Sequence, residues 1–190
     1  MPQCSSLCRL LSTSFLTAAT LLSINTHAST IDVALSNDMI ELEWQEDLGS
    51  NLSGGLSFLH ADTDDNGKQK TDIISGDFFL NGKEGMIEYQ MGSKLYFMKG
   101  KKTDAHGALL GGAIDVNFTT KFYVDASAFY SPDIINGGDF EQYIEAKASI
   151  GFKPTANAKL YIGYKHTEAS QGKFEYEPYQ GIMFGFGARF

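Results

Sequence analysis

Residues 181–190 read Gly181-Ile-Met-Phe-Gly-Phe-Gly-Ala-Arg-Phe190. Ile182, Phe184, Phe186, Ala188 and Phe190 hold every second position, and Gly181, Met183, Gly185, Gly187 and Arg189 hold the others. A period of two is the strand period, so the two sets face opposite sides of a sheet. A soluble protein seldom puts such an apolar stripe on a terminal segment, where chains fray. A strand in the wall of a membrane barrel needs this pattern: an apolar face for lipid, and a small or charged face for a narrow lumen. In this reading Gly185 and Gly187 leave room inside the barrel.

The same alternation recurs upstream. Ile40, Leu42 and Trp44 alternate with Glu41, Glu43 and Gln45. Ile74, Phe78 and Leu80 oppose Ser75 and Asp77, and Ile87, Tyr89, Met91, Leu95 and Phe97 oppose Glu88, Gln90, Lys94 and Tyr96. Ile114, Val116 and Phe118 oppose Ala113, Asp115 and Asn117, and Val124, Ala126 and Ala128 oppose Tyr123, Asp125 and Ser127. Ile144, Ala146, Ala148 and Ile150 oppose Tyr143, Glu145, Lys147 and Ser149, and Leu160, Ile162 and Tyr164 oppose Tyr161, Gly163 and Lys165. Connections alternate between short ones (residues 47–50, 81–85, 119–121 and 153–158) and longer polar ones (61–71, 99–105, 131–139 and 167–177). The expected fold is all-β: an antiparallel up-and-down transmembrane β-barrel. Eight strands count back from Phe190 to residues 51–60. The parity change across Ser36-Asn37-Asp38, a good turn sequence, adds two more. Ten is the expected number, and eight with an N-terminal extension is the alternative.

A soluble sandwich or lipocalin-like barrel would also alternate, with its apolar face turned inward. The aromatics decide against it. Trp44, Phe97, Phe118, Phe122, Tyr130, Phe152 and Tyr164 stand at the ends of the apolar registers, as interfacial girdles do.

The N-terminus reads as an export signal. Arg9 precedes an apolar stretch from Leu10 to Ile24, and Thr26-His27-Ala28 supplies small residues at the −3 and −1 positions. Residues 1–28 are therefore expected to be removed, leaving one domain over 29–190. Cys4 and Cys8 leave with the signal, so the mature domain has no disulfide, thiolate metal site or cysteine nucleophile. Loss of Arg9 takes the net charge from −8 to −9, which disfavours nucleic acid as a partner.

The stretch "FYVDASAFYSPD" (Phe122–Asp133), followed by "YIEAKASIGFKP" and "LYIGYKH", resembles the YfaZ-like family of small outer-membrane proteins. In that family a Tyr-Ser-Pro-Asp-like strand end leads to a Tyr-x-Glu-x-x-Ala strand and then a Gly-Tyr-Arg strand. Tyr130-Ser131-Pro132-Asp133 matches directly. Tyr143, Glu145 and Ala148 match in kind, and Gly163-Tyr164-Lys165 has Lys in place of Arg. The resemblance covers residues ~107–190 by motif and the N-terminal half only by pattern. It implies a porin-like outer-membrane barrel, and it brings no catalytic residues.

Inward-facing charges are the main candidates for function. Asp32, Glu41, Glu43, Asp77, Glu88, Asp115, Asp125 and Glu145 are acidic, and Lys94, Lys147, Lys165 and Arg189 are basic. Such groups must pair or stay hydrated in a narrow lumen. They describe either a structural network or a cation-favouring, porin-like path. The alternative is an outer-leaflet enzyme acting on lipid A or peptides. It would use His60, His106 or His166 with Ser131 and Asp133, or Ser170 and Glu168, but no Ser–His spacing supports it. Asp62-Thr-Asp-Asp-Asn-Gly67 matches the start of an EF-hand loop, yet Ile73 stands where the bidentate Glu belongs, so no metal or other cofactor is expected. The remaining expectations are a monomer in contact with outer-membrane lipid and lipopolysaccharide. Phe184, Phe186 and Phe190 would form the signal read by the barrel-assembly machinery.

Overall fold

The computed structural model describes residues 28–190 apart from 50, 64–68, 101–103, 139 and 172–173. All but Ala28 of the expected export signal (1–28) and most of the Asp62–Gly67 loop lie outside the described residues. Ten long strands form the wall: β1 (Ser29–Leu35), β2 (Met39–Gly49), β3 (Leu52–Thr63), β4 (Gln69–Glu84), β5 (Ile87–Gly100), β6 (Asp104–Asn117), β7 (Phe122–Ser131), β9 (Gln142–Thr155), β10 (Ala158–Gln171) and β11 (Phe174–Arg189). A short β8 (Asn136–Gly138) follows a 3-10 turn at Asp133–Ile135 and pairs with the top of β6.

Neighbours in sequence are neighbours in the wall, all antiparallel, and β1 pairs with β11 to close it. Closure removes both sheet edges, which a barrel in lipid requires. The seam joins Thr30 to Arg189 and Leu35 to Phe184. Ser29 and Phe190 exchange two backbone hydrogen bonds of 2.9 Å at its foot. Ser36-Asn37-Asp38 is a turn: Ser36 N–H donates to the Met39 carbonyl at 2.9 Å and Asp38 N–H to Ser36 Oγ at 3.1 Å. The tight turn after β4 uses Gly85 at φ +60, and the one after β2 uses Gly49 at φ +90, a conformation L side chains rarely adopt.

The outward face is the expected apolar register. Ile182 and Phe184 on the last strand are 61% and 62% exposed, and Leu80, Met91 and Phe97 are comparably bare. In water such a continuous belt would be an aggregation surface, whereas in a bilayer it meets lipid. Phe122 and Phe152 pair on this face with ring centres 5.3 Å apart.

Two expectations are corrected. The segments 99–105 and 167–177, read as polar loops, are largely strand. β5 and β6 pair up to Lys99–Asp104, and β10 and β11 pair up to Gln171–Phe174 with a register shift between Thr167 and Ala169. Antiparallel hairpins satisfy their own backbone groups, so polar side chains do not end them. Gly185 and Gly187 also do not leave open space. The Tyr161 ring lies on Gly185, and Lys159 and Asp32 crowd Gly187.

Candidate functional site in the lumen

The charged residues of the inner face converge at mid-barrel. Lys165 on β10 is 1% exposed and ion-paired with Glu41 on β2. Its Nζ also stands 3.7 Å from Glu145 Oε1 on β9, which accepts a hydrogen bond of 2.8 Å from Lys94 Nζ on β5. β2 and β10 are separated in the wall by β1 and β11, and β5 and β9 by β6 and β7. The chain Glu41–Lys165–Glu145–Lys94 therefore crosses the bore. Beside it Lys147 Nζ lies 3.9 Å from Glu43, and Lys94 Nζ sits 4.3 Å from the centre of the Phe129 ring. Charges this deeply buried persist only because each has an opposite partner.

On the extracellular side of this crossing the lumen is packed and largely apolar, with Thr71, Ser131 and Thr167 buried in it. Met39, Leu59, Ile73, Met98 and Leu109 all point inward and are buried, while Met183, equally buried, pairs with Gly163 at the level of the crossing itself. Tyr96 and Tyr143 pack together at 4.8 Å between ring centres. The connection after β7 folds in above them. Asn136 is its hub: its Oδ1 accepts from Tyr96 Oη at 2.7 Å and from Ser131 Oγ, and its Nδ2 donates to the Glu141 carbonyl at 2.8 Å. Phe140 then stacks on Tyr176 of the β10–β11 hairpin at 5.6 Å, and Tyr176 bonds to Thr71 on β4.

The periplasmic half differs. A polar chamber of about 270 Å³ lies under the charge crossing, and a second of about 310 Å³ lies at the rim. Gln45, Glu88 and Gln90 line both. One rung of the wall makes the roof of the inner chamber. Phe79 pairs with Gly92, Gly92 with Gly111, and Gly111 with Phe129. The two rings fold over the two glycines and meet at 5.7 Å. A Cβ at Gly111 would fall 2.7 Å from the Phe129 ring and 2.1 Å from the Ala128 carbonyl oxygen, so this rung needs glycine.

Of the residues singled out by sequence, Glu41, Glu43, Lys94, Glu145, Lys147 and Lys165 come together at the crossing. Asp77, Glu88, Asp115 and Asp125 line the inner chamber. Arg189 lies at the rim, 3.3 Å from Asp47. Phe184, Phe186 and Phe190 are exposed on the outer face. His60 and His166 lie away from the lumen; His60 pairs with Asp72 at 2.6 Å and His166 with Glu168 at 3.3 Å. Among the described residues neither bonds to a serine, and Ser131 is tied to Asn136. Asp62 pairs with Lys70 at 3.5 Å.

Sequence reasoning missed three inner lysines and the apolar filling. Lys83 pairs with Glu88 at 2.5 Å, Lys159 with Asp32 at 2.9 Å, and Lys153 donates to Asn117 at 2.5 Å. They offset much of the acid excess counted from the four expected bases. The filling had a signal: Ile73-Ile74, Phe78-Phe79, Phe97-Met98, Leu109-Leu110, Phe129-Tyr130 and Ile182-Met183 are apolar doublets. A doublet in an alternating strand means that both faces are apolar at that height.

A family model described as YfaZ precursor matches residues 9–190. The chain belongs to the YfaZ precursor family. The match extends the C-terminal resemblance over the N-terminal half as well. With its lipid-facing exterior, this YfaZ barrel is an outer-membrane protein, and a precursor designation agrees with an exported chain. No curated protein matches it. Among solved structures it is similar to a KdgM porin in complex with disordered oligogalacturonate (9% identity, 86% of this chain and 98% of that one, TM-score 0.43). It is also similar to Neisserial surface protein A (9%, 86% and 92%, TM-score 0.39). A third is the translocator domain of the autotransporter NalP from Neisseria meningitidis (11%, 96% and 96%, TM-score 0.37). At such scores, what those proteins bind says nothing about this YfaZ member.

Proposed function

We propose that this barrel is a structural component of the outer membrane whose lumen is shut, rather than an open pore. One observation carries the reading: the Glu41–Lys165–Glu145–Lys94 chain spans the bore, and an apolar layer covers it on the extracellular side. An ion crossing that layer would exchange its hydration for contacts with Leu, Met and Ile side chains, which cannot replace it. Conductance in planar bilayers is the test. The expected result is a silent membrane at all applied voltages; discrete current steps from the wild-type protein would overturn the proposal.

A second, porin-like reading has its own support. The polar chambers reach from the periplasmic rim to the charge crossing, so the crossing and the apolar layer above it are the remaining barrier. If that layer moves, the path is a narrow one. Replacing Leu109 and Met98 together by Ser would then yield small currents, and their reversal potential in a salt gradient reads cation preference. The outer-leaflet enzyme alternative finds no Ser–His pair among the described residues to build on. Unchanged lipid A and peptide profiles in a deletion strain are expected.

We further assign the outward Phe184, Phe186 and Phe190 to recognition by the barrel-assembly machinery, and the outer belt to lipid and lipopolysaccharide around a monomer. Phe190→Ala is expected to lower outer-membrane levels several-fold. Wild-type levels of that variant would sink the assignment.

A further inference from the structure

Most acids lining the inner chamber have a lysine. Asp32 pairs with Lys159 at 2.9 Å, Glu43 with Lys147 at 3.9 Å, Glu145 with Lys94 at 2.8 Å and Glu88 with Lys83 at 2.5 Å. Asp77, Asp115 and Asp125 have no ion pair within 4 Å among the described residues. Lys94, directly opposite Asp77 on β5, turns to Glu145 instead. The β-ladder aggravates the imbalance: Glu88, Asp115 and Asp125 face one another in one row across β5, β6 and β7. Like charges directly opposed on neighbouring strands repel. Asn117 donates to Asp115 at 2.5 Å and Ser149 donates to Asp125. Both donors are neutral and leave the charge in place.

A second feature points to an occupant. Tyr123 is 2% exposed, stands on the wall of this chamber, and its hydroxyl has no hydrogen-bond partner among the described residues. Asp77 Oδ1 is equally shut in and unpartnered. A buried polar group without a partner is costly and calls for one. The Phe79 ring adds an apolar, electron-rich wall. A bare metal ion does not fit, because no three His, Cys, Asp or Glu side chains among the described residues converge closely enough to hold one. At about 270 Å³ the chamber lies near the lower end of small-ligand sites.

We propose that the chamber binds a small aliphatic ammonium compound from the periplasm, between Asp77 and the Asp115–Asp125 pair, with the Tyr123 hydroxyl accepting from the ammonium. A diammonium chain suits the arrangement because it meets carboxylates on two walls at once. The chamber exists whether the apolar layer above it is permanent or opens, so this proposal stands apart from the conduction question.

Calorimetric titration of the purified barrel in neutral detergent tests it, with 1,4-diaminobutane as probe. Butane-1,4-diol and magnesium chloride serve as the neutral and metal arms. Saturable heat is expected for the diamine alone, weakened at least tenfold by Asp115→Asn with Asp125→Asn and unchanged by Glu46→Gln on the outer face. Should the double variant fail to fold, Tyr123→Phe keeps the ring and is expected to weaken binding about threefold. Absence of saturable heat, equal binding of the diol, or magnesium binding that the diamine cannot displace would overturn the proposal. So would diamine binding unchanged in both variants.

Discussion

The two halves of the lumen are built on the same ten strands and behave as different materials. Toward the extracellular side, inward residues are mostly Leu, Met, Ile and Tyr, with Thr71, Ser131 and Thr167 among them, packed until Leu109, Tyr96 and Tyr143 have almost no exposure. Toward the periplasm, inward residues are Asp, Glu, Lys, Gln and Ser around chambers that hold water-sized space. The charge crossing is the boundary. The comparison teaches that a barrel wall does not dictate a pore. With about ten strands the bore is narrow enough for side chains to fill, so the inner register alone decides whether it conducts.

Breaking the boundary should have the largest effect. Lys165→Met would leave Glu41 and Glu145 buried with one partner fewer between them. A cost of about 3–5 kcal/mol is expected, since an uncompensated buried charge is the main penalty. Urea unfolding of the barrel from lipid vesicles measures it. Glu41→Gln added to Lys165→Met should recover a large part of the loss, because the pair is coupled. An equally unstable double variant would mean that Lys165 acts by packing alone.

Leu109→Ala tests the packed half. Leu109 is 1% exposed, and its truncation should cost about 2–4 kcal/mol, the range for cavities that cannot collapse. The matching change below, Ser127→Ala on a chamber wall, should cost less than about 1 kcal/mol, because water can fill the space it leaves. Similar losses at the two sites would erase the distinction between the halves.

Much of this was legible in the sequence. The wall was, because alternation is strict wherever one face meets lipid and the other meets water: Ile144 to Ile150 and Leu160 to Tyr164 read directly as strands with their faces assigned. The turn at residues 36–38 was legible from parity and from Ser-Asn-Asp chemistry. Where both faces are apolar the period fades: at Phe78-Phe79 and Leu109-Leu110 alternation accounts for the lipid residues Phe78 and Leu110 and says nothing of Phe79 and Leu109, which fill the lumen. Cross-lumen partners were not legible at all. Glu41 and Lys165 are 124 residues apart, and only the closed register brings them together. Inner lysines such as Lys153 and Lys159 escaped because they flank a turn, where parity is hard to assign.

The glycine rung sharpens the comparison at its border. Gly111→Ala would drive a Cβ to within 2.1 Å of the Ala128 carbonyl oxygen and 2.7 Å of the Phe129 ring. Either the β6–β7 ladder or the Phe79–Phe129 contact must shift. A loss of about 1–3 kcal/mol is expected, typical of overpacking. Near-ultraviolet circular dichroism should change with it, since the rings lose their fixed geometry. Gly85→Ala, in the open turn at φ +60, is the control: it should cost backbone strain without altering the aromatic signal.

The smallest effect is expected at the rim. Arg189 and Asp47 meet at 3.3 Å, but their side chains are 58% and 50% exposed. Coulomb attraction between such groups is screened by water and salt, and holding two long side chains together costs entropy. Asp47→Asn should therefore change unfolding free energy by less than about 0.5 kcal/mol, and by less still at high salt. This pair, like Glu41–Lys165, joins one cation to one carboxylate, and the large difference between them is burial. If Asp47→Asn cost as much as Lys165→Met, burial could not be what separates the rim from the crossing, and the periplasmic chambers would have to be far less hydrated than their polar linings imply.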